Sequence, residues 1–324
     1  MLEQLKQVFA DQEMTKLEVV QSLWSGYGEI ARYHSPRLGK NIIVKQVSTP
    51  EKVSHPRGWN TQNSHQRKLR SYQVEQAFYQ QYAAKCDENC KVPSLLRCIE
   101  ENAQIALVME DLDFIGFTER RSQGTLRECK RVIRWLAYFH GRFLNTKTED
   151  LWPVGSYWFL ATREDEWAAM PEGDLKQGAA NIGKTLEQAK YQSLVHGDAK
   201  LANFCFHQHK TTLAAVDFQY VGRGAGIKDL VYLLGSCFND ERLFKHAESL
   251  LNYYFRQLSL ALQHYQIACD FRALETEWRL LYSLAWADFH RFLQGWSPGH
   301  YKINAYMHHQ TELALNYLSI QGKQ

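Results

Sequence analysis

The stretch Leu194-Val195-His196-Gly197-Asp198-Ala199-Lys200-Leu201-Ala202-Asn203, followed by Ala215-Val216-Asp217-Phe218, decides how the rest of the chain is read. It sets three oxygen-bearing side chains, Asp198, Asn203 and Asp217, at short offsets around two brief strand-like runs, 204–207 and 212–218, which flank a turn at 208–210. A tight loop presents Asp198 and Asn203 to one cleft, and the hairpin returns Asp217 to it. Phosphoryl transfer asks for such a set: one carboxylate to receive an alcohol proton, and an amide oxygen with a second carboxylate to hold magnesium against phosphates. Magnesium takes hard oxygen donors and keeps several waters, so two protein oxygens suffice. Taken singly, the aspartates could be helix caps or turn formers and Asn203 a loop residue; their joint spacing argues against coincidence.

Toward the N-terminus, β-branched runs at Glu18–Trp24 and Glu29–His34, with Ser25-Gly26-Tyr27-Gly28 between them, read as a hairpin. A third strand, Asn41–Val47, surrounds Lys45 with apolar residues. Residues 49–64 read as a long loop, Gln66–Lys85 as a helix containing Glu75, and Ser94–Glu101 and Gln104–Met109 as a second hairpin joined through Asn102. From Thr125 the pattern is helical: Thr125–Leu144, then Asp174–Lys190, Ile227–Phe238, Arg242–His264, Phe271–Leu293 and Ile303–Leu318, with the two short runs above as the only β interruption. The order predicts an α+β, two-lobed fold. A small N-terminal β-sheet lobe with one helix spans 1–109, a hinge 110–114, and a larger, mainly helical catalytic and substrate-binding lobe 115–324.

The His-x-Asp-x4-Asn run at His196, Asp198 and Asn203 resembles the catalytic loop of a kinase superfamily with a protein-kinase-like fold, comprising aminoglycoside phosphotransferases, choline kinases and the ecdysteroid-kinase-like group. Asp217-Phe218-Gln219 is similar to the Asp-Phe-Gln of the ecdysteroid-kinase-like branch. The resemblance implies an ATP-dependent, magnesium-requiring small-molecule kinase. Asp198 would be the base, Lys200 a contact to the transferred phosphate, Asn203 and Asp217 the metal ligands, and His196 a support for the loop. Asp229 would brace that loop. In the N-terminal half, Lys45 stands where the family has its phosphate-binding lysine and Glu75 would orient it, although an edge-strand lysine and a solvated helix glutamate are the plainer alternatives. Gly26 and Gly28 could form a phosphate cover, since glycine lets backbone amides approach oxygens; Ala31 occupies the place of a third glycine, so a simple hairpin turn stays open. Glu110, Asp111 and Leu112 resemble the inter-lobe hinge, where backbone groups bind adenine. His140 reads as a satisfied core histidine.

Only a short stretch separates Asp217 from Asp229, too little for a peptide-docking segment, so the expected acceptor is a small-molecule alcohol. The richest polar cluster for its pocket is Asp288, His290 and Arg291 with Trp296 and His300. An aminoglycoside-type phosphotransferase and a nucleotide-binding pseudokinase with a sensing or scaffolding role are the rival readings. Balanced charge, 38 basic against 35 acidic residues, argues against nucleic acid or membrane as the main partner. Seven scattered cysteines predict reduced thiols in the cytoplasm and no zinc site. No run reaches the ~18 apolar residues of a membrane span, and residues 1–20 carry charges where a secretory signal would be apolar. Oligomeric state is left open.

Overall fold

Runs rich in β-branched and apolar residues within 15–47 and 95–110 pair, in the computed structural model, into one antiparallel sheet. The structure describes residues 1–23, 26–48, 62–101 and 104–321. Ser25, Trp24, most of the expected 49–64 loop and Asn102 thus lie outside the described residues.

The chain opens with a helix that the sequence reading did not include, α1 (Leu2–Phe9), and continues through β1 (Thr15–Ser22), β2 (Gly28–Ser35), β3 (Lys40–Val47), α2 (Gln62–Gln81), β4 (Leu95–Glu101) and β5 (Gln104–Glu110). The strand order is β1-β2-β3-β5-β4, so Lys45, paired with Ile30 and Leu107, sits on the central strand rather than at an edge. The strand period of two splits the sheet into faces. Ala31, Tyr33, Ile42, Val44, Ala106 and Val108 bury one face with Leu5 of α1 and Met14. Lys45 therefore points to the opposite face, toward α2.

The remaining part is mainly helical: α3 (Leu126–Arg142), a short α4 (Glu164–Ala168), α5 (Asp174–Glu187), then β6 (Ser193–Val195), β7 (Phe204–Phe206), β8 (Leu213–Ala215), β9 (Gly222–Gly224), and α6 (Ile227–Cys237), α7 (Asp240–His264), α8 (Phe271–Trp296) and α9 (Ala305–Gln321). Thr125 and Glu128 form a reciprocal capping box at the start of α3. The 204–218 hairpin is not the only β structure here, as the sequence reading had it. Ser193–Val195 pairs antiparallel with Gly222–Gly224, and a Gly-Arg-Gly segment carries no strand propensity by which to foresee that. Phe218 links the two halves: its ring stacks on Phe78 of α2 at 3.9 Å between centroids. Among the described residues no helix is long and apolar enough to cross a membrane.

Candidate active site

The stretch 196–203 is held from behind. Asp229, fully buried in the first turn of α6, accepts the backbone N–H of His196 at 2.6 Å and of Gly197 at 3.0 Å. His140, equally buried on α3, meets the same carboxylate at 3.0 Å and the Tyr254 hydroxyl at 2.8 Å, as a core histidine would. Burial alone would raise the Asp229 carboxyl; its hydrogen bonds and the nearby histidines outweigh this and hold it below the usual range. Gly197 adopts φ +77°, and a Cβ there would lie 2.0 Å from the Tyr220 carbonyl oxygen, so the turn requires glycine. The His196 ring donates from Nε2 to the Val216 carbonyl at 3.0 Å and accepts at Nδ1 from the Asp198 N–H at 3.3 Å, tying the loop to the hairpin.

Asp198 is 6% exposed, and its carboxylate accepts hydrogen bonds from Lys200 Nζ at 2.9 Å and Asn203 Nδ2 at 3.1 Å. Asn203 Nδ2 also donates to the Asp198 carbonyl at 2.8 Å, which leaves the amide oxygen of Asn203 without a donor among the described residues. Val216 N–H bonds to the Asn203 carbonyl at 3.0 Å, and the backbone then turns through φ +69° at Asp217, a conformation uncommon outside glycine. Asp217 Oδ1 is shut off from solvent with no hydrogen-bond partner, and Lys45 Nζ stands 3.6 Å away. An orphaned carboxylate oxygen and a free amide oxygen make a hard donor set that fits magnesium with phosphate oxygens and water completing its shell.

Lys45 is buried and paired with Glu75 at 2.6 Å. Burial works to discharge the lysine, but the charges of Glu75 and Asp217 prevail and keep it above its ordinary value. Several further residues escaped the sequence reading. Lys68 Nζ, 4.7 Å over the Tyr72 ring, donates to Gln219 Oε1 at 2.9 Å, and burial pulls it down to about 8. The helical spacing Lys68, Tyr72, Glu75, Tyr79 places all four on the cleft face of α2, a pattern readable once Glu75 is taken as the anchor. Tyr157 and Tyr232, joined hydroxyl to hydroxyl at 3.4 Å, form the opposite wall and sit on segments with no motif to reveal them.

Lys45, Glu75, Asp198, Lys200, Asn203 and Asp217 all line one cleft of about 790 Å³ between the sheet and the helical part. Its far end is an apolar slot that includes Val20, Ile43, Met109 and Leu112, closed by Glu110, Asp111 and Asp113. Arg32 ties that end to β2, reaching Asp111 and Asp113 at 2.7 Å each, while the Leu112 N–H donates no hydrogen bond among the described residues. Gly26 and Gly28 do not line the cleft. Gly28 is required by the sheet, because a Cβ there would come within 2.1 Å of the Gln46 carbonyl oxygen.

The acceptor cluster expected on α8 divides. Trp296 lines the cleft, but Asp288, His290 and Arg291 turn into the core and away from it. Asp288 accepts from Trp158 Nε1 at 3.0 Å and from Arg291 at 2.7 Å, and His290 meets Thr311 at 2.9 Å. Helical periodicity carries these polar residues to the packed face of α8, where Asp288 and Arg291 pair with each other and His290 bonds to Thr311 and Gln294.

The ecdysteroid kinase-like family profile matches residues 164–267, a segment that contains the 194–218 motif. Among solved structures, an aminoglycoside 2'-phosphotransferase-IIIa in its GDP complex matches with 10% identity over 98% of this chain and 97% of that one, at a TM-score of 0.50. An aminoglycoside phosphotransferase from Streptomyces rimosus, solved with ADP and streptomycin, matches with 17% identity over 87% and 96%, at a TM-score of 0.47. No curated protein sequence matches the chain. The chain thus has a kinase-like phosphotransferase fold, and the superfamily resemblance read from the motif is borne out.

Proposed function

We propose that this kinase-like chain transfers the γ-phosphoryl group of ATP to a hydroxyl of a small molecule. The observation that carries the reading is convergence: Lys45, Asp198, Asn203 and Asp217, drawn from three separate segments, line a single cleft. Residues 1–109 would bind the nucleotide, 110–114 act as hinge and 115–324 supply the catalytic residues. Adenine would enter the apolar slot and meet the unused Leu112 amide, and Lys45, kept charged by Glu75, would neutralise phosphate oxygens. Asn203 and Asp217 would hold magnesium, which when bound neutralises charge on the phosphates.

Asp198 would accept the proton of the acceptor hydroxyl as its oxygen bonds to the γ-phosphorus and the bond to the ADP oxygen breaks. Lys200 and Asn203, both bonded to the Asp198 carboxylate, would orient it toward the acceptor. Seven cysteines, all free, support a reducing, cytoplasmic setting.

The test is ADP release with MgATP against a panel of alcohols that includes aminoglycosides, choline and ethanolamine. Asp198→Ala is expected to retain nucleotide binding and to lose turnover by several orders of magnitude. Normal turnover by Asp198→Ala would falsify the assignment of the base, and ATP binding without transfer to any alcohol would favour the sensing role.

A further inference from the structure

A second recess, of about 830 Å³, opens where α3, the turn of the 204–218 hairpin, α7 and residues 88–89 meet, and it shares no lining residue with the cleft. Helix α3 gives it four cations, Arg127, Lys130, Arg131 and Arg134, spaced i, i+3, i+4 and i+7 on one helical face. Glu88, exposed, is the one carboxylate that lines it among the described residues. Three more acids stand near and are engaged: Glu119 and Glu128 by Arg121 at 2.5 and 2.8 Å, and Asp87 by the Tyr265 hydroxyl at 2.8 Å and His264 at 3.1 Å. Among the described residues none of the four cations forms an ion pair with a carboxylate.

Such a face is a cost to α3. Like charges three and four residues apart repel, and Arg127 stands in the first helical turn, where the backbone dipole favours an anion. Two of the cations are nevertheless fixed in place. Arg131 donates from Nε to the Thr211 carbonyl at 2.9 Å and from Nη2 to the carbonyls of Lys210 and Thr212 at 3.0 and 2.9 Å, which leaves Nη1 without a hydrogen bond among the described residues. Arg134 donates from Nη2 to Asn89 Oδ1 at 2.7 Å and lies 4.5 Å from the centre of the Tyr138 ring. Arg127 and Lys130 are exposed at the rim. Lys130 and Arg256 already lie against the ring of Tyr253, at 5.7 and 5.8 Å, so the recess offers charge more than a free aromatic face.

We propose that this recess binds a compact polyanion of linked phosphate groups, at a site separate from the cleft. Guanidinium forks held in one orientation match phosphate oxygens, and the unused N–H groups of Arg131 and Arg134 take them while Arg127 and Lys130 close from the rim. Arg127 to Arg134 spans roughly 10 Å of helix, a length that several linked phosphates fill and a single phosphate does not. An acidic peptide has the same sign, but it spreads its charge along a chain, and the concentrated cations of this recess favour the denser ligand.

The test is calorimetric titration of the full chain with tripolyphosphate in EDTA at ~0.1 M salt, where exposed charges are screened beyond about 10 Å. Orthophosphate and hexaglutamate are the comparison ligands. The variants are Arg127→Gln with Lys130→Gln, Arg134→Gln, and Lys68→Met as the control in the cleft, folding being checked by circular dichroism. Tripolyphosphate is expected to bind about tenfold or more tightly than either comparison ligand, through one equivalent that weakens about tenfold in both recess variants and persists in Lys68→Met. The recess variants should keep the wild-type thermal shift by Mg-ADP, because the two sites share no residue. Absence of binding, equal affinity for orthophosphate, tighter binding of hexaglutamate, or a loss confined to Lys68→Met overturns the proposal, the last by assigning the polyphosphate to the cleft.

Discussion

Asp229 holds Gly197 by its backbone amide at 3.0 Å across 32 positions of sequence, and with the His196 amide on its second oxygen it sets the 196–203 loop from behind. Replacing Asp229 by Ala strands two buried amides and His140. The expected cost is about 3 kcal/mol of stability by urea unfolding, with turnover lost alongside. The depressed folded pKa gives the sign of the pH effect: Asp229 contributes stability above the ordinary carboxylate range and loses it as pH falls through the folded value. Asp229→Asn should therefore flatten the acid limb of a stability profile.

Lys45→Met leaves Glu75 buried beside Asp217 with its partner gone. We expect a loss of about 3 kcal/mol at neutral pH. Burial pushes the Glu75 carboxyl up, and removing the lysine pushes it further. A group raised in the folded state favours folding below its unfolded pKa and loses that contribution as pH rises through the folded one, so the variant should recover stability toward pH ~5. Thermal unfolding from pH 5 to 8 checks this, and Glu75→Gln in the same background should remove the slope.

Asp217→Ala deletes the orphaned oxygen without touching the catalytic loop. Nucleotide affinity in EDTA should change little, while the additional affinity contributed by magnesium should largely disappear, as read by calorimetry. Equal magnesium enhancement in variant and wild type would remove Asp217 from the ligand set.

On the proposed reading, Lys68 should make nucleotide binding depend on pH. With its ammonium near 8, the free protein sheds that proton as pH rises from 7 to 9, and a bound phosphate must recover it. Affinity for ADP should weaken across this interval with measurable proton uptake, and Lys68→Met should weaken binding at pH 7 and flatten the profile. An unchanged slope in the variant would assign the titration elsewhere.

The one-dimensional pattern was enough for the parts that rest on local spacing. β-branched runs bounded by turn residues marked the five strands of the sheet, helical periodicity marked the long helices, and the offsets of Asp198, Asn203 and Asp217 marked residues that meet in one cleft, because a tight loop and a short hairpin bring such residues together whatever surrounds them. The Lys45–Glu75 pairing was legible only through the family resemblance, since 30 positions separate the two.

What the tertiary structure decided is which polar residues meet solvent and which meet one another. Asp288, His290 and Arg291 were the conspicuous polar cluster in sequence, yet the packing of α8 buries Asp288 and Arg291 around Trp158 and His290 against Thr311. Lys68, Tyr157 and Tyr232 carry no motif and come to the cleft through the meeting of distant elements. A periodic pattern reports that a side chain has a buried or an exposed face; the partner on that face, and so the distinction between a satisfied core and a waiting ligand site, exists only once the chain has closed on itself.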